Sequence, residues 1–256
     1  MYSSDVRRHA AALMGRGFSL RSISISTGIN RSTLREWRDH PESSVNPRAT
    51  CPRCADCPAV PEPQADYAYL LGLYLGDGCI SRAGARDKEV WKLRIMCADA
   101  WPGLLQECTR AMSAVRPDNK VSTQQQVGCT EVISHSKHWP CLLPQHGPGK
   151  KHLRTIELQP WQRTIVMENP GRFARGLFHS DGYRGINRVR AHSAGGDRWY
   201  EYPRYLFTNE SRDILGLCGE TLDQLGVAWR CSRRNAISVA RREAVARLDE
   251  FVGPKY

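Results

Sequence analysis

A short motif occurs twice in the chain, and this repeat limits the possible folds more than any other feature. The stretch YLLGLYLGDGCIS begins at residue 69, and FARGLFHSDGYRG begins at residue 173. Each copy has an apolar helical pattern that ends in an aspartate followed by a glycine. Asp77 and Asp181 therefore lie 104 residues apart, which predicts a protein made of two similar halves.

More of the chain recurs in the same order after each motif. VWKLRIMCADAWPGLLQEC and YPRYLFTNESRDILGLCGE each predict a strand running into a helix that begins near Asp99 or Ser211. TEVISHSKHWPCLLPQHG and AISVARREAVARLDEFVG then each predict a strand and a helix. We expect an α+β fold of two αββαββα repeats, residues 66–150 and 151–256, associated about a pseudo-twofold axis.

Small residues in the motifs favour close contact between the two motif helices. Gly72 and Gly76 lie four residues apart on one helix, and Gly176 and Ser180 match them on the other. Small residues at this spacing let two helix backbones approach closely. Side by side and roughly parallel, the helices would bring their terminal aspartates together.

An aspartate at the C-terminal end of an apolar helix is unfavourable by itself. The helix dipole is negative at that end, which costs an exposed acid about 0.3–1 kcal/mol. Burial of the carboxylate adds to this cost. A cationic partner is therefore expected beside Asp77 and Asp181.

The segments LGLYLGDG and RGLFHSDG, at this spacing, resemble the paired motifs of LAGLIDADG homing endonucleases in their single-chain, two-repeat form. The resemblance covers residues 66 to 253. It implies a saddle of two antiparallel four-stranded sheets that lies along the DNA major groove, with metal ions at the ends of the motif helices. Asp77 and Asp181 match the metal-binding acids of the family, with Gly76 and Ser180 beside them in the metal site.

The reaction that the resemblance implies is metal-dependent hydrolysis of a phosphodiester bond on each DNA strand. Two carboxylates a few ångströms apart repel each other unless divalent cations hold both ionised. Oxygen ligands suit Mg²⁺, and Ca²⁺ or Mn²⁺ can bind similarly. We therefore expect Mg²⁺ as the cofactor.

Family members often place a Lys or Gln near each metal, and the basic residues after each motif are candidates for this role. In the first half they are Lys92, Lys120 and Lys137, and in the second half they are Arg204, Arg241 and Arg242. The alternative for each of them is a solvated face or a contact with a phosphate.

The charge of the chain points to a polyanionic partner. Lys and Arg number 37 against 26 Asp and Glu, a net charge of +11, which double-stranded DNA would match. No apolar run of about 18 residues is present to span a bilayer, and the N-terminus lacks a secretory apolar segment. We expect a cytoplasmic protein without a membrane partner, monomeric because its two halves form an internal pseudo-dimer.

Residues 1–40 predict a small all-α domain that resembles a homeodomain-like helix-turn-helix. Asn30 is the predicted N-cap of a third helix, in which Leu34 and Trp37 pack inward. In that motif the last helix enters the major groove. The residues that could reach phosphates and base edges are Arg31, Ser32, Thr33, Arg35 and Arg38. The alternative is a three-helix bundle that only packs on its neighbour.

Residues 41–65 hold six prolines and no sustained periodicity, which is typical of a linker. Within them, Cys51, Cys54 and Cys57 have the CxxCxxC spacing that lets thiolates chelate Zn²⁺. A fourth ligand is not evident. Reduced surface thiols are an equally good interpretation of these three cysteines.

Two further basic stretches fit a DNA surface. Residues 230–242 hold five arginines and no acid, and they alternate enough for a strand whose polar face contacts phosphates. A second stretch lies between the repeats. The DNA-binding candidates in these stretches are Arg230, Arg233, Arg234, Arg241, Arg242, Lys150, Lys151 and Arg154.

Three functions are compatible with the sequence. The first is a site-specific DNA endonuclease whose helix-turn-helix supplies extra recognition. The second is a DNA-binding regulator that keeps the same surfaces without cleavage, since the second half has no lysine between its motif and Lys255. The third is an RNA-binding splicing helper, which the wider family includes.

Overall fold

The computed structural model describes residues 4–39, 61–84, 90–193, 196–253 and 255. These residues fall into two compact units, one with residues 4–39 and Gly84 and one with the rest. The predicted zinc ligands Cys51, Cys54 and Cys57 lie outside the described residues, as does most of the predicted linker.

Three helices form the first unit. They are Ser4–Gly15 (α1), Leu20–Thr27 (α2) and Arg31–Asp39 (α3). Their shared core consists of Ala10, Ile23, Ile29, Leu34 and Trp37. The inward packing predicted for Leu34 and Trp37 is therefore confirmed, because both side chains are buried between the helices.

Local hydrogen bonds begin the second and third helices, and the third begins at its predicted N-cap, Asn30. The Ser19 hydroxyl accepts a hydrogen bond of 3.1 Å from the Ser22 N–H. The Asn30 side-chain oxygen accepts one of 3.0 Å from the Ser32 N–H. Each bond satisfies a backbone donor that the first turn of a helix leaves unpaired.

The second unit repeats one order of elements twice. Its helices are Gln64–Asp77 (α4), Pro102–Val115 (α5), Trp139–Leu142 (α6), Pro160–Glu168 (α7), Pro170–Asp181 (α8), Arg212–Gln224 (α9) and Arg242–Asp249 (α10), with a 3₁₀ helix at Lys151–Leu153. Its strands are Gly78–Ala83 (β1), Val90–Ala98 (β2), Val121–Gln126 (β3), Cys129–Ser136 (β4), Gly182–Ser193 (β5), Gly196–Thr208 (β6), Arg230–Arg233 (β7) and Ala236–Val239 (β8).

The strands form two antiparallel four-stranded sheets of the same topology. Their orders are β1-β2-β4-β3 and β5-β6-β8-β7, and the strands of each sheet come from one half of the unit. The prediction of an α+β fold with two αββαββα repeats is confirmed. Helix α7 is an additional element that precedes the second copy.

The motif helices α4 and α8 pack against each other with almost no space between their backbones. A Cβ atom at Gly72 would lie 2.6 Å from the carbonyl oxygen of Phe173, and one at Gly176 would overlap the carbonyl oxygen of Tyr69. The run from Tyr67 to Leu75 in α4 is buried on every side, which explains why it has no charged residue. No helix in the described part of the chain is long and apolar enough to cross a membrane.

Replacing Gly176 with Ala is expected to destabilise the protein by about 1–3 kcal/mol, since the added methyl group forces the helices apart. Gly216→Ala in α9 is the matched control, because a Cβ atom there meets nothing within 4 Å. Without a clash, the higher helix propensity of alanine should stabilise the control by about 0.5–1 kcal/mol. Urea denaturation measures both, and equal effects would contradict the close helix contact.

The two halves differ in their first hairpins. Strands β5 and β6 pair from Gly182–Phe207 out to Ser193–Gly196, but β8 joins β6 only along residues 205–208. The outer part of this hairpin is therefore a two-stranded ribbon. In the first half, β4 accompanies β2 along residues 91–98, nearly the whole strand.

Two sequence-based details were wrong. Residues 230–242 do not form one strand: β7 and β8 make a hairpin, and Arg241 and Arg242 begin α10. The first helix after a hairpin begins at Pro102, not near Asp99, because proline suits the first helical position, where its missing N–H would have no helical partner. The Asp99 carboxylate instead accepts hydrogen bonds from the side chains of Thr130 and Gln125.

Candidate functional site

The site lies where the motif helices end. Asp77 and Asp181 are the last residues of α4 and α8. A Cβ atom at Gly76 would lie 2.9 Å from the Asp181 carboxylate and would overlap the Ser180 side chain. The close helix contact therefore brings the two aspartates together at one end of the helix pair.

Two lysine side chains reach the same place. Lys151 Nζ donates hydrogen bonds to the carbonyl oxygens of Tyr74 and Gly76, at 2.6 and 2.8 Å. Lys255 Nζ donates hydrogen bonds to the carbonyl oxygens of Ser180 and Gly182, at 3.2 and 2.7 Å, and of these Ser180 is the repeat counterpart of Gly76. Gly76 and Ser180 each lie one residue before the end of their helix, so the lysines satisfy a carbonyl group that each helix end leaves without an intrahelical partner.

The lysines follow the same internal repeat as the aspartates. Lys151 and Lys255 are 104 residues apart, the separation of Asp77 and Asp181. By this separation Lys151 and the residues beside it belong to the first half, although they lie just past the boundary expected after residue 150, so each half contributes one carboxyl group and one ammonium group. These lysines are the cationic partners that were predicted beside Asp77 and Asp181. The sequence had suggested Lys151 only as a phosphate contact.

The charges at the site perturb one another. Burial, together with repulsion from Asp181, raises the pKa of Asp77 to about 6, although part of the Asp77 residue remains exposed. Burial also raises the pKa of Asp181. Burial lowers the pKa of Lys151 to about 8 and lowers that of Lys255, while both carboxyl groups act against this shift. Perturbed values of this kind are typical of functional sites.

The two halves of the site are not identical. The Asn209 side-chain amide donates a hydrogen bond of 2.6 Å to the Asp181 carboxylate, which lowers the pKa of Asp181 and opposes the effect of burial. Asn209 directly follows β6. Asp99 directly follows β2 in the first half, but its carboxylate accepts hydrogen bonds from the side chains of Thr130 and Gln125, both at 2.9 Å. The carboxyl groups of Asp77 and Asp181 therefore have different surroundings.

Solved structures of LAGLIDADG homing endonucleases are similar to this chain. A mesophilic variant of I-DmoI has 14% identity and a TM-score of 0.47, over 75% of this chain and 97% of that one. I-AabMI bound to uncleaved DNA has 13% identity and a TM-score of 0.46, over 72% and 82% of the two chains. I-SmaMI bound to cleaved DNA has 11% identity and a TM-score of 0.42, over 70% and 79%. No family model and no curated protein matches the chain.

The lysines predicted for the first half lie in other surroundings. Lys92 on β2 pairs with Glu131 at 3.8 Å. Lys120 is exposed beside the first residue of β3, and Lys137 follows β4. In the second half, Arg204 donates a hydrogen bond of 2.8 Å to the Ser238 hydroxyl. Within the described chain, the cations that act on Asp77 are those of Lys151 and Lys255.

The predicted DNA-binding residues have mixed positions. Arg154 donates hydrogen bonds to backbone carbonyl groups, and Arg38 pairs with Asp39 at 2.9 Å. Arg234 lies 3.6 Å from Glu210. Residue Thr33 is half-buried. The candidates with exposed positions also include Arg31, Ser32, Arg35, Lys150, Arg230, Arg233, Arg241 and Arg242.

The site opens into a cavity of about 410 Å³. Its lining includes Gly76, Lys150, Lys151, Asp181 and Asn209. The lining is therefore both acidic and basic, with a carboxylate next to ammonium groups. A phosphate group and a cation could be held together in such a space.

Sequence reasoning missed Lys255 and Asn209 and gave Lys151 a different role. The signal for the lysines was present, because adding the repeat separation of 104 residues to Lys151 leads to Lys255. Asn209 carried no such signal. The β5–β6 hairpin is longer than the β1–β2 hairpin, so the separation of 104 residues does not lead from Asn209 to its counterpart in the first half. The residue that follows the corresponding strand there is Asp99, not an asparagine.

The contribution of Asp77 to the stability of the metal-free protein is expected to fall as the pH rises from about 4 to 7. The raised pKa of Asp77 means that the folded state holds a proton that the unfolded state has lost, so deprotonation at pH values through about 6 favours unfolding. Asp77→Asn should therefore raise the melting temperature more at pH 7.5 than at pH 5. Thermal denaturation in a chelator measures this, and equal increases at both pH values would contradict the raised pKa.

Proposed function

We propose that the chain is a metal-dependent DNA endonuclease that hydrolyses one phosphodiester bond on each strand. The observation that carries the proposal is the convergence of Asp77, Asp181, Lys151 and Lys255 at the adjoining ends of two repeat-related helices. Each half supplies the same pair of groups. Two equivalent sets of residues are what a reaction on the two antiparallel strands of a duplex requires.

Asp77 and Asp181 fit a hard divalent cation such as Mg²⁺. Carboxylate oxygens are its preferred ligands, and a bound cation would favour the ionised form of two carboxyl groups whose pKa values are raised. The carbonyl groups of Gly76 and Ser180, predicted to be part of the metal site, already accept hydrogen bonds from the lysines. When bound, divalent cations would supply an activated water and stabilise the leaving oxygen.

The two lysines balance charge and exchange protons in this proposal. With its pKa lowered to about 8, Lys151 is partly neutral in mildly alkaline solution and can accept a proton from water. In its charged form the same ammonium group stabilises negative charge on a phosphate. Lys255, whose pKa is also lowered, has the same role in the second half.

Basic surface beside the site supports a nucleic-acid substrate. A cleft of about 440 Å³ in the second half is lined by Arg204, Arg230 and Arg233, together with Thr208. Thr208 also lines the cavity at Asp181, so the two spaces adjoin. Arginines placed along a cleft are suited to phosphate contacts. The net charge of +11 adds long-range attraction for DNA.

Incubation with a randomised double-stranded DNA library in Mg²⁺ tests the proposal. Sequencing of new ends should reveal cuts on both strands at one preferred long site, and a chelator should abolish them. A library without cuts, from which the protein retains particular sequences, would reject the endonuclease and favour the DNA-binding regulator. Retention of RNA in preference to DNA would favour the splicing helper.

We also propose that α3 acts as the recognition helix of a helix-turn-helix, independently of the cleavage site. Arg31 and Arg35 are exposed on α3, while Leu34 and Trp37 hold its other face in the core of the first unit. A short turn that contains Gly28 joins α2 to α3. This arrangement leaves the basic side of the helix available to DNA.

Replacing both Arg31 and Arg35 with Ala should weaken DNA binding and reduce the slope of log K against log salt by about 2, since each phosphate contact contributes about 0.9. The charge-matched control replaces Arg16 and Arg21, which are exposed in the same unit but outside α3. Fluorescence anisotropy over a salt series measures both slopes. An unchanged slope in the α3 variant would remove this helix from the interface.

A further inference from the structure

A glycine of positive φ precedes each of the two site lysines by two residues. Two residues before Lys151 stands Gly149, with φ +75°, and two residues before Lys255 stands Gly253, with φ +65°. Both glycines adopt the left-handed conformation that side chains disfavour. A left-handed glycine therefore stands at the same distance before each lysine.

An arginine is hydrogen-bonded to the backbone just before each lysine. In the first half, Arg154 Nη1 donates to the carbonyl oxygens of Pro148, at 3.3 Å, and Gly149, at 2.7 Å. Its Nε and Nη2 atoms donate to the carbonyl oxygen of Gln145, at 3.2 and 3.1 Å. One guanidinium group thus binds three carbonyl groups of the segment that leads to Lys151.

The second half achieves the same contact with an unrelated residue. Arg175 Nη1 donates to the carbonyl oxygen of Val252, three residues before Lys255, as Pro148 is three residues before Lys151. The other edge of the guanidinium pairs with Glu107, with Nε at 2.9 Å from the carboxylate. The Arg175 side chain is only 17% exposed. Its position is therefore fixed from two sides.

These contacts matter because a lysine side chain is long and has many rotamers. Its ammonium group can stay at a helix end only if the backbone that carries it is also held in place. The planar guanidinium fork suits this task, since it can donate several hydrogen bonds of fixed direction at once. Arg154 also lowers the pKa of Lys151, although burial has the larger effect.

We propose that Arg154 and Arg175 are positioning residues, each of which holds one of the two site lysines at its helix end. The proposal deepens the proposed function and rests on it where it concerns cleavage. Arg154 acts on Lys151 and Arg175 acts on Lys255. Loss of either arginine should therefore disturb one half of the site and leave the other half intact.

The first test does not depend on cleavage. Lysine accessibility in the whole chain is measured by timed reductive methylation and mass spectrometry over a series of pH values, so that the rate constants of the neutral amines are compared. Arg154→Met should speed modification of Lys151 by about tenfold, the population change expected for one lost charge-assisted hydrogen bond, with Lys255 unaffected. Arg175→Met should have the reciprocal effect. Equal acceleration at both lysines, or none, would overturn the proposal.

Cleavage then supplies the functional test. With a different dye on each DNA strand, Arg154→Met and Arg175→Met should slow opposite strands by about tenfold, so that nicked DNA accumulates. Arg175→Lys replaces Arg175→Met if the latter does not fold, and each Arg→Lys variant should recover part of the rate. Arg163→Met, in an exposed ion pair with Glu220, is the control and should cut both strands at the normal rate. Equal slowing of both strands would overturn the proposal.

The two experiments separate the two hypotheses. If wild-type protein cuts no DNA but the methylation results are as expected, the endonuclease proposal fails and the arginines still position the lysines. If wild-type protein cuts DNA and the arginine variants change neither methylation nor strand preference, only the positioning proposal fails.

Discussion

Replacing Asp77 or Asp181 with Asn is expected to reduce DNA cleavage by about a thousandfold while leaving DNA binding largely intact. The amide is nearly the same size as the carboxyl group but lacks the negative charge that a divalent cation needs. In the Asp181→Asn variant, removal of this charge also relieves the repulsion that helps to raise the pKa of Asp77. Single-turnover cleavage in Mg²⁺ and binding in a chelator, measured on the same labelled DNA, separate the two effects.

The control for this experiment is Asp118→Asn, an exposed carboxylate between α5 and β3. This variant should cut DNA at the normal rate, because its charge lies outside the site. Magnesium-dependent cleavage by the Asp77→Asn, Asp181→Asn double variant at the wild-type rate would show that these aspartates do not hold the metal.

Replacing Lys151 or Lys255 with Met is expected to slow cleavage by about 10²–10⁴-fold, the usual contribution of a positioned acid or base. Methionine keeps an unbranched apolar chain but cannot donate to the helix-end carbonyl groups or exchange a proton. In the wild type, the rate should rise with pH through about 8 as Lys151 loses its proton. Cleavage rates between pH 6 and 10 should show this rise, and Lys151→Met should remove it.

Lys150 provides a matched control for this prediction. It is adjacent to Lys151 and exposed, whereas the Lys151 ammonium group is bound to α4. Lys150→Met should affect DNA affinity more than the cleavage step. If Lys150→Met and Lys151→Met weakened binding equally and left the rate constant of the bound complex unchanged, both residues would be phosphate contacts, as the sequence alone suggested.

The fold was largely predictable because its signals are local and repeated. The motif predicted two central helices, and the order of segments after it predicted two equivalent sheets. Gly72 and Gly176 predicted close helix packing, because the small size of these residues can be read from the motif itself without knowledge of distant contacts. The start of α3 was equally predictable, since Asn30 accepts a hydrogen bond from the N–H group of Ser32, only two residues away.

The candidate site was predictable only in part. The aspartates end the conspicuous motif, but Lys151 lies 77 residues from Tyr74, whose carbonyl group it binds. Its neighbours in sequence are basic and glycine-rich, which favoured an exposed phosphate contact. Conversely, Lys92 follows the motif closely, yet strand pairing places it beside Glu131 on β4. Tertiary contacts of this kind leave no trace in local composition.

The unequal first hairpins affect the kind of target that the proposed endonuclease would recognise. A homodimer presents one reading surface twice and therefore favours a palindrome. Here the second half alone has a described ribbon beyond its four-stranded sheet, with Trp199 and Tyr200 exposed on it. Because one chain carries both surfaces, each can diverge separately. The target is therefore expected to be non-palindromic, with the longer half-site read by the second repeat.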